Sequence, residues 1–124
     1  MFRKGFRAKS QGRYGKRHKP GEMNATEAAY AEILQARKLA GEVIEWWFEA
    51  VTFKLASDCR FTSDFAVFLA DGTMEFVDAK GGGPENEKAL VKARMAADKF
   101  YMFAFVIEKR TGRKGSYEWK RREF

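Results

Sequence analysis

The sequence predicts an α/β sandwich, a central mixed β-sheet flanked by helices. Three observations predict it. A capping-box pattern opens the regular part of the chain at Asn24. Two apolar runs then flank Asp71-Gly72, a strong hairpin signal. A second helical stretch leads into another extended run, giving the order α-β-β-β-α-β. At 124 residues the chain has the length of one domain. Its 45% apolar and 15% aromatic residues argue against wholesale disorder.

Each element has its own signal. Residues 1–23 read as a basic flexible arm, where Gly5, Gly12, Gly15, Pro20 and Gly21 interrupt a run of Arg and Lys. Asn24-Ala25-Thr26-Glu27 starts a helix with Asn as N-cap and Glu at the third position. Ala28, Ala29, Ile33, Ala36 and Ala40 follow at roughly helical spacing, and Gly41 suits the position after the C-cap. Residues 43–55 read as extended, with clean alternation over Val51, Phe53 and Leu55, and are long enough to hold two strands. Arg60–Leu69 and Met74–Lys80 form the arms of the hairpin. Phe65 to Leu69 is apolar on both faces, as expected of a strand in the middle of a covered sheet. A second helix fits Glu85–Phe100, and a strand fits Tyr101–Glu108. A basic turn at residues 111–115 precedes a possible last edge strand, Tyr117–Arg122. Trp46, Trp47, Phe48, Phe53, Phe61, Phe65 and Phe68 are most simply core, while Tyr14 or Trp119 are candidates for stacking on a base.

The net charge of +7 is unevenly distributed. Residues 1–20 carry eight basic side chains (Arg3, Lys4, Arg7, Lys9, Arg13, Lys16, Arg17 and Lys19) and no acidic one. Residues 108–124 carry a net +4, and residues 21–107 a net −5. Basic ends around an acidic middle point to a polyanionic partner held by the ends, Arg113 and Lys114 included.

Several classes are excluded or disfavoured. No apolar run approaches the roughly 20 residues of a membrane span. No apolar stretch follows Met1–Gly5, so a secretion signal is not expected. A single cysteine, Cys59, excludes an intramolecular disulfide or a Cys-based zinc cluster. The one histidine, His18, lies in the basic arm, so acid, base and metal chemistry falls to Asp, Glu and Lys. Gly81-Gly82-Gly83 lacks the Gly-Lys-Ser/Thr continuation of a phosphate loop and reads as a flexible loop.

The candidate chemistry lies on the hairpin. Asp64 interrupts an apolar strand, where an unpaired carboxylate is costly. Asp78 and Lys80 are two apart on the other arm and point to one face. Carboxylates across a hairpin can share a cation, and hard oxygens suit Mg²⁺. Register decides whether they meet. A two-residue loop would set Asp64 against Ala79 and put the two Asp side chains on opposite faces. A three-residue loop, Ala70-Asp71-Gly72 with Gly72 left-handed, would pair Leu69 with Thr73 and Asp64 with Asp78.

Ser63-Asp64-Phe65, an Asp-Gly hairpin and then Asp78-Ala79-Lys80-Gly81 resemble the PD-(D/E)XK nuclease superfamily, and in particular its small phage-encoded members. The resemblance spans residues 24–108 and includes Glu27 on the preceding helix, leaving 109–124 as a basic C-terminal segment. Ser63 stands where the superfamily usually has proline, and Asp78 takes the shorter of its two acidic options. The resemblance implies a restriction-endonuclease-like core and a metal-dependent DNA endonuclease using Mg²⁺ or Mn²⁺. It implies that Asp64, Asp78 and the Ala79 carbonyl hold the metal, with Glu27 reaching the same metal, a second one or a metal-bound water. Lys80 would orient or deprotonate the attacking water, and Lys92 would contact the scissile phosphate. It further implies a cytoplasmic protein, selective for branched DNA in the manner of a Holliday-junction resolvase or else nicking DNA, as a possible homodimer and with no membrane partner.

Blander readings stand beside these. The capping box alone explains Glu27, and Lys80 with a carboxylate could be a structural ion pair. A non-catalytic nucleic-acid-binding module using the basic termini is the alternative function, and a protein that binds a host enzyme is a third.

Overall fold

The first helix, α1 (Ala25–Leu39), begins where the capping box requires. Asn24 Oδ1 accepts from the Glu27 N–H at 2.8 Å, and Glu27 Oε1 accepts from the Asn24 N–H at 2.9 Å. Gly41, at φ +87°, takes the left-handed conformation that releases the chain from the helix. The structure is a computed structural model and describes residues 21–124. The expected arm therefore falls almost wholly outside the described residues, and with it Tyr14, Arg3, Lys4, Arg7, Lys9, Arg13, Lys16, Arg17 and Lys19. Its last three residues do not behave as an arm. The Gly21 N–H donates to Glu49 Oε1 at 3.1 Å, and Met23 packs on the core.

Seven strands and a second helix follow: β1 (Val43–Phe48), β2 (Thr52–Ala56), β3 (Cys59–Thr62), β4 (Phe65–Leu69), β5 (Met74–Lys80), α2 (Glu87–Lys99), β6 (Ala104–Thr111) and β7 (Glu118–Glu123). The protein is a mixed α/β fold. Its main sheet has five strands in the order β1-β4-β5-β6-β7, and β2 with β3 forms a separate two-stranded sheet. Among the described strands only β5 and β6 run parallel, because α2 carries the chain back between them. The other neighbours are antiparallel.

Both faces of the main sheet are covered. On the first, Tyr30 and Leu34 of α1 pack with Val43, Phe65, Val67, Val77, Ala79 and Val106. On the second, Ala96 of α2 and Phe53, Leu55 and Phe61 of the small sheet pack with Ala66, Phe76 and Phe105. Successive residues of β4 and β5 alternate between these two faces, which is why β4 is apolar on both sides.

Some expectations need correction. Arg60–Leu69 is two strands, not one. Ser63 and Asp64 part them: Ser63 Oγ donates to the Phe65 carbonyl at 3.1 Å, and the Asp64 N–H is taken by the Asp78 carboxylate. With residues 43–55 holding two strands, β1 and β2, five strands among the described residues precede α2, where the order of elements gave three. The second helix starts after Asn86, whose side chain accepts from the Lys88 N–H at 2.9 Å. The strand expected over 101–108 is shifted to 104–111, because Phe100–Phe103 forms a turn closed by the Phe103 N–H on the Phe100 carbonyl. β6 thus runs past residue 108, and the C-terminal segment supplies the edge strand β7 of the same sheet. Trp47 is exposed, not core. Trp119 is no free stacking platform, since its ring lies 5.2 Å from that of Tyr30.

Candidate metal-binding site

The β4–β5 hairpin has the register on which a shared site depends. Phe65 lies opposite Val77, and Phe68 opposite Met74. The Leu69 N–H donates to the Thr73 carbonyl at 2.9 Å, so the loop is the three residues Ala70–Gly72. Gly72 supplies the left-handed residue, at φ +93°. Continuing the register one step beyond β4 sets Asp64 opposite Asp78.

The two aspartates are tied to each other's backbone. Asp78 Oδ1 accepts from the Asp64 N–H at 3.0 Å. Asp64 Oδ2 accepts from the Ala79 N–H at 2.9 Å. These bonds fix both carboxylates side by side and leave Asp64 Oδ1 and Asp78 Oδ2 outside the pair of bonds. Lys80 Nζ stands 3.8 Å from Asp78 Oδ2. Alternation along β5 puts Lys80 on the face of Asp78, as the spacing of two requires.

Both carboxyls are harder to ionise than a free aspartate. Burial first, and then the neighbouring Asp78 charge, push the Asp64 carboxyl up to about 7. The Ala79 N–H opposes the shift. Asp78 is also raised, by burial first, against the lowering effect of Lys80. Glu27 adds a smaller upward push on both, so its carboxylate is close enough to be felt across the site. Its Oε1 is nevertheless engaged in the capping box.

Among the described residues no three His, Cys, Asp or Glu side chains converge as a ready-made metal cage. The donor set still fits a hard divalent cation. Two desolvated carboxylates, each held by one oxygen, present their remaining oxygens beside the Ala79 backbone. Hard oxygen donors in small number suit Mg²⁺, which keeps waters for its other positions. Asp64, Asp78 and Ala79 would hold it.

Other expected site residues have other surroundings. Lys92 Nζ donates to the Arg60 carbonyl at 3.0 Å, tying α2 to β3. Arg113 and Lys114 are exposed in the turn between β6 and β7.

A second polar cluster has no counterpart in the sequence reading. Glu75 and Glu108 are buried on the α1 face, and Arg121 of β7 bridges them. Arg121 also pairs with Glu123 at 2.8 Å. Burial lowers the Arg121 pKa, but bonds to Glu123, Glu75 and Glu108 outweigh it and leave it raised. Burial, then the charges of Glu108 and Glu75, raises the Tyr30 hydroxyl. One signal was available: Glu75 stands between Met74 and Phe76, and Glu108 directly follows the apolar run Ala104–Ile107.

No protein family model, curated protein or solved structure matches this chain.

Proposed function

We propose that the chain is a metal-dependent DNA endonuclease that hydrolyses phosphodiester bonds, with a core of the restriction-endonuclease-like type. The observation that supports this most is Asp64 set opposite Asp78, both desolvated, with Lys80 Nζ 3.8 Å from the latter. A buried carboxylate pair without compensating cations is costly. One exposed lysine beside it is too little to offset that cost as structure alone.

In this reading Asp64 and Asp78 hold the cation with the Ala79 carbonyl. A bound Mg²⁺ or Mn²⁺ supplies an activated water and neutralises charge on the phosphate. Lys80, partly exposed, orients the attacking water and steadies the phosphoryl oxygens. Glu27 adds negative charge at the rim of the site while capping α1. The exposed Arg113 and Lys114, and the basic residues of the first 20, hold the DNA backbone. Branched, nicked or otherwise structured DNA is the favoured substrate class, since no element supplies an evident base-reading code.

The test is incubation of the purified protein with plasmid and branched DNA, with Mg²⁺ or EDTA. Wild type should cleave only with the metal, and Asp78→Ala and Lys80→Ala should lose at least about 100-fold, the scale at which one catalytic group contributes. Binding without cleavage in wild type, undisturbed by Asp64→Ala, would favour a non-catalytic nucleic-acid-binding module.

A further inference from the structure

A cleft of about 200 Å³ opens beside the carboxylate pair, at the end where β5 and β6 stop running in parallel. Lys80 belongs to both places, lining the cleft while its Nζ stands by Asp78. Its parallel-strand partner is Lys109, which lines the same cleft. Ile107 of β6 and Ala89 and Leu90 of α2 give an apolar lining, to which Gly81, Gly82 and Pro84 of the loop after β5 add. Glu85 also lies at the cleft, but its carboxylate pairs with Arg122 at 2.9 Å. The cleft therefore combines two lysines with an apolar interior, next to the site proposed for phosphate chemistry.

That combination matches one nucleotide: the lysines suit its phosphate and the apolar walls suit the faces of its base. The volume is below the roughly 300 Å³ at which drug-sized pockets begin. It admits one base and excludes a base pair. A base still paired in a duplex would have to be extruded at the cost of its pairing and stacking, and an already unpaired one would not.

We propose that this cleft receives one unpaired nucleotide adjoining the phosphate to be cut. The inference rests on the nuclease reading for the position of that phosphate, and it narrows the substrate to DNA with an unpaired nucleotide at the cleavage site. Lys109 is then a positioning residue for the flanking phosphate.

The experiment measures affinity by fluorescence anisotropy in EDTA, so that cleavage does not enter the reading. Two labelled duplexes are compared, one fully matched and one with a single unpaired nucleotide. Wild type should bind the second at least tenfold more tightly. Ala89→Trp, which fills the cleft, and Lys109→Ala, which removes a charge without adding bulk, should each bring the ratio within twofold. A wild-type ratio within twofold, or a tenfold ratio retained by both variants, overturns the proposal. Selective binding with no Mg²⁺-dependent cleavage would leave the cleft's role standing and reject the nuclease. Metal-dependent cleavage without selective binding would do the reverse.

Discussion

Asp64 is the residue on which the site turns. Its carboxyl sits at about 7 in the folded chain against an ordinary value of 3.8, chiefly because burial penalises its charge. Between those values the folded state holds a proton that the unfolded state has released. Stability therefore falls as pH rises through about 4 to 7, because the native state binds more protons there. Asp78 is shifted in the same direction. In EDTA, urea midpoints of wild type should decline between pH 5 and pH 7.5, and those of Asp64→Asn should decline less. Adding Mg²⁺ should raise the wild-type midpoint at pH 7.5 more than at pH 5, since a cation binds the ionised pair. Equal decline in both proteins would reject this account of Asp64.

At the scale of elements, the hairpin and the edge strand are held by different means. The β4–β5 register comes from the three-residue loop and from the alternation of large apolar side chains between two cores. β7 has no such pattern: of its residues only Trp119 is even half-buried. It is pinned instead by Arg121, whose guanidinium meets Glu108 on the adjacent β6 and Glu75 one strand further, on β5. Removing that cation strands two buried carboxylates, which typically costs about 3 kcal/mol or more. Arg121→Ala should lower unfolding stability by about that amount in urea titration, and amide exchange should rise first in β7. Glu75→Gln in the same background should recover part of the loss. Lysine at 121 should rescue poorly, since it lacks the planar fork that reaches several carboxylates at once.

For the whole molecule, charge is divided by task. The acidic residues include the desolvated pair on β4–β5 and the cluster under β7, while Arg113 and Lys114 project from the β6–β7 turn. If that turn touches DNA phosphates, changing both to Ala should flatten the slope of log affinity against log salt by about two. The loss should be similar for matched and unpaired substrates, as backbone contacts carry no sequence information. An unchanged slope, measured by anisotropy between low and physiological salt, would take the turn out of the interface.

The local elements were legible because their causes are local. Asn24 and Glu27 cap α1, Gly41 ends it, and Asp71-Gly72 turns the hairpin; in each case neighbouring residues satisfy one another's backbone groups. The break at Ser63-Asp64 was not legible, since the partner that takes the Asp64 N–H is a carboxylate 14 residues away. The shift of β6 to 104–111 escaped for a similar reason, its outer end being held by β7. Sequence alone determined the α/β class, the hairpin and the residue types available for chemistry. Only the tertiary structure decided that Asp64 and Asp78 share a face, that Glu75, Glu108 and Arg121 meet, and that Lys80 and Lys109 share a cleft. Those facts depend on strand register and on pairing between distant segments, where one residue of slip reverses every side chain.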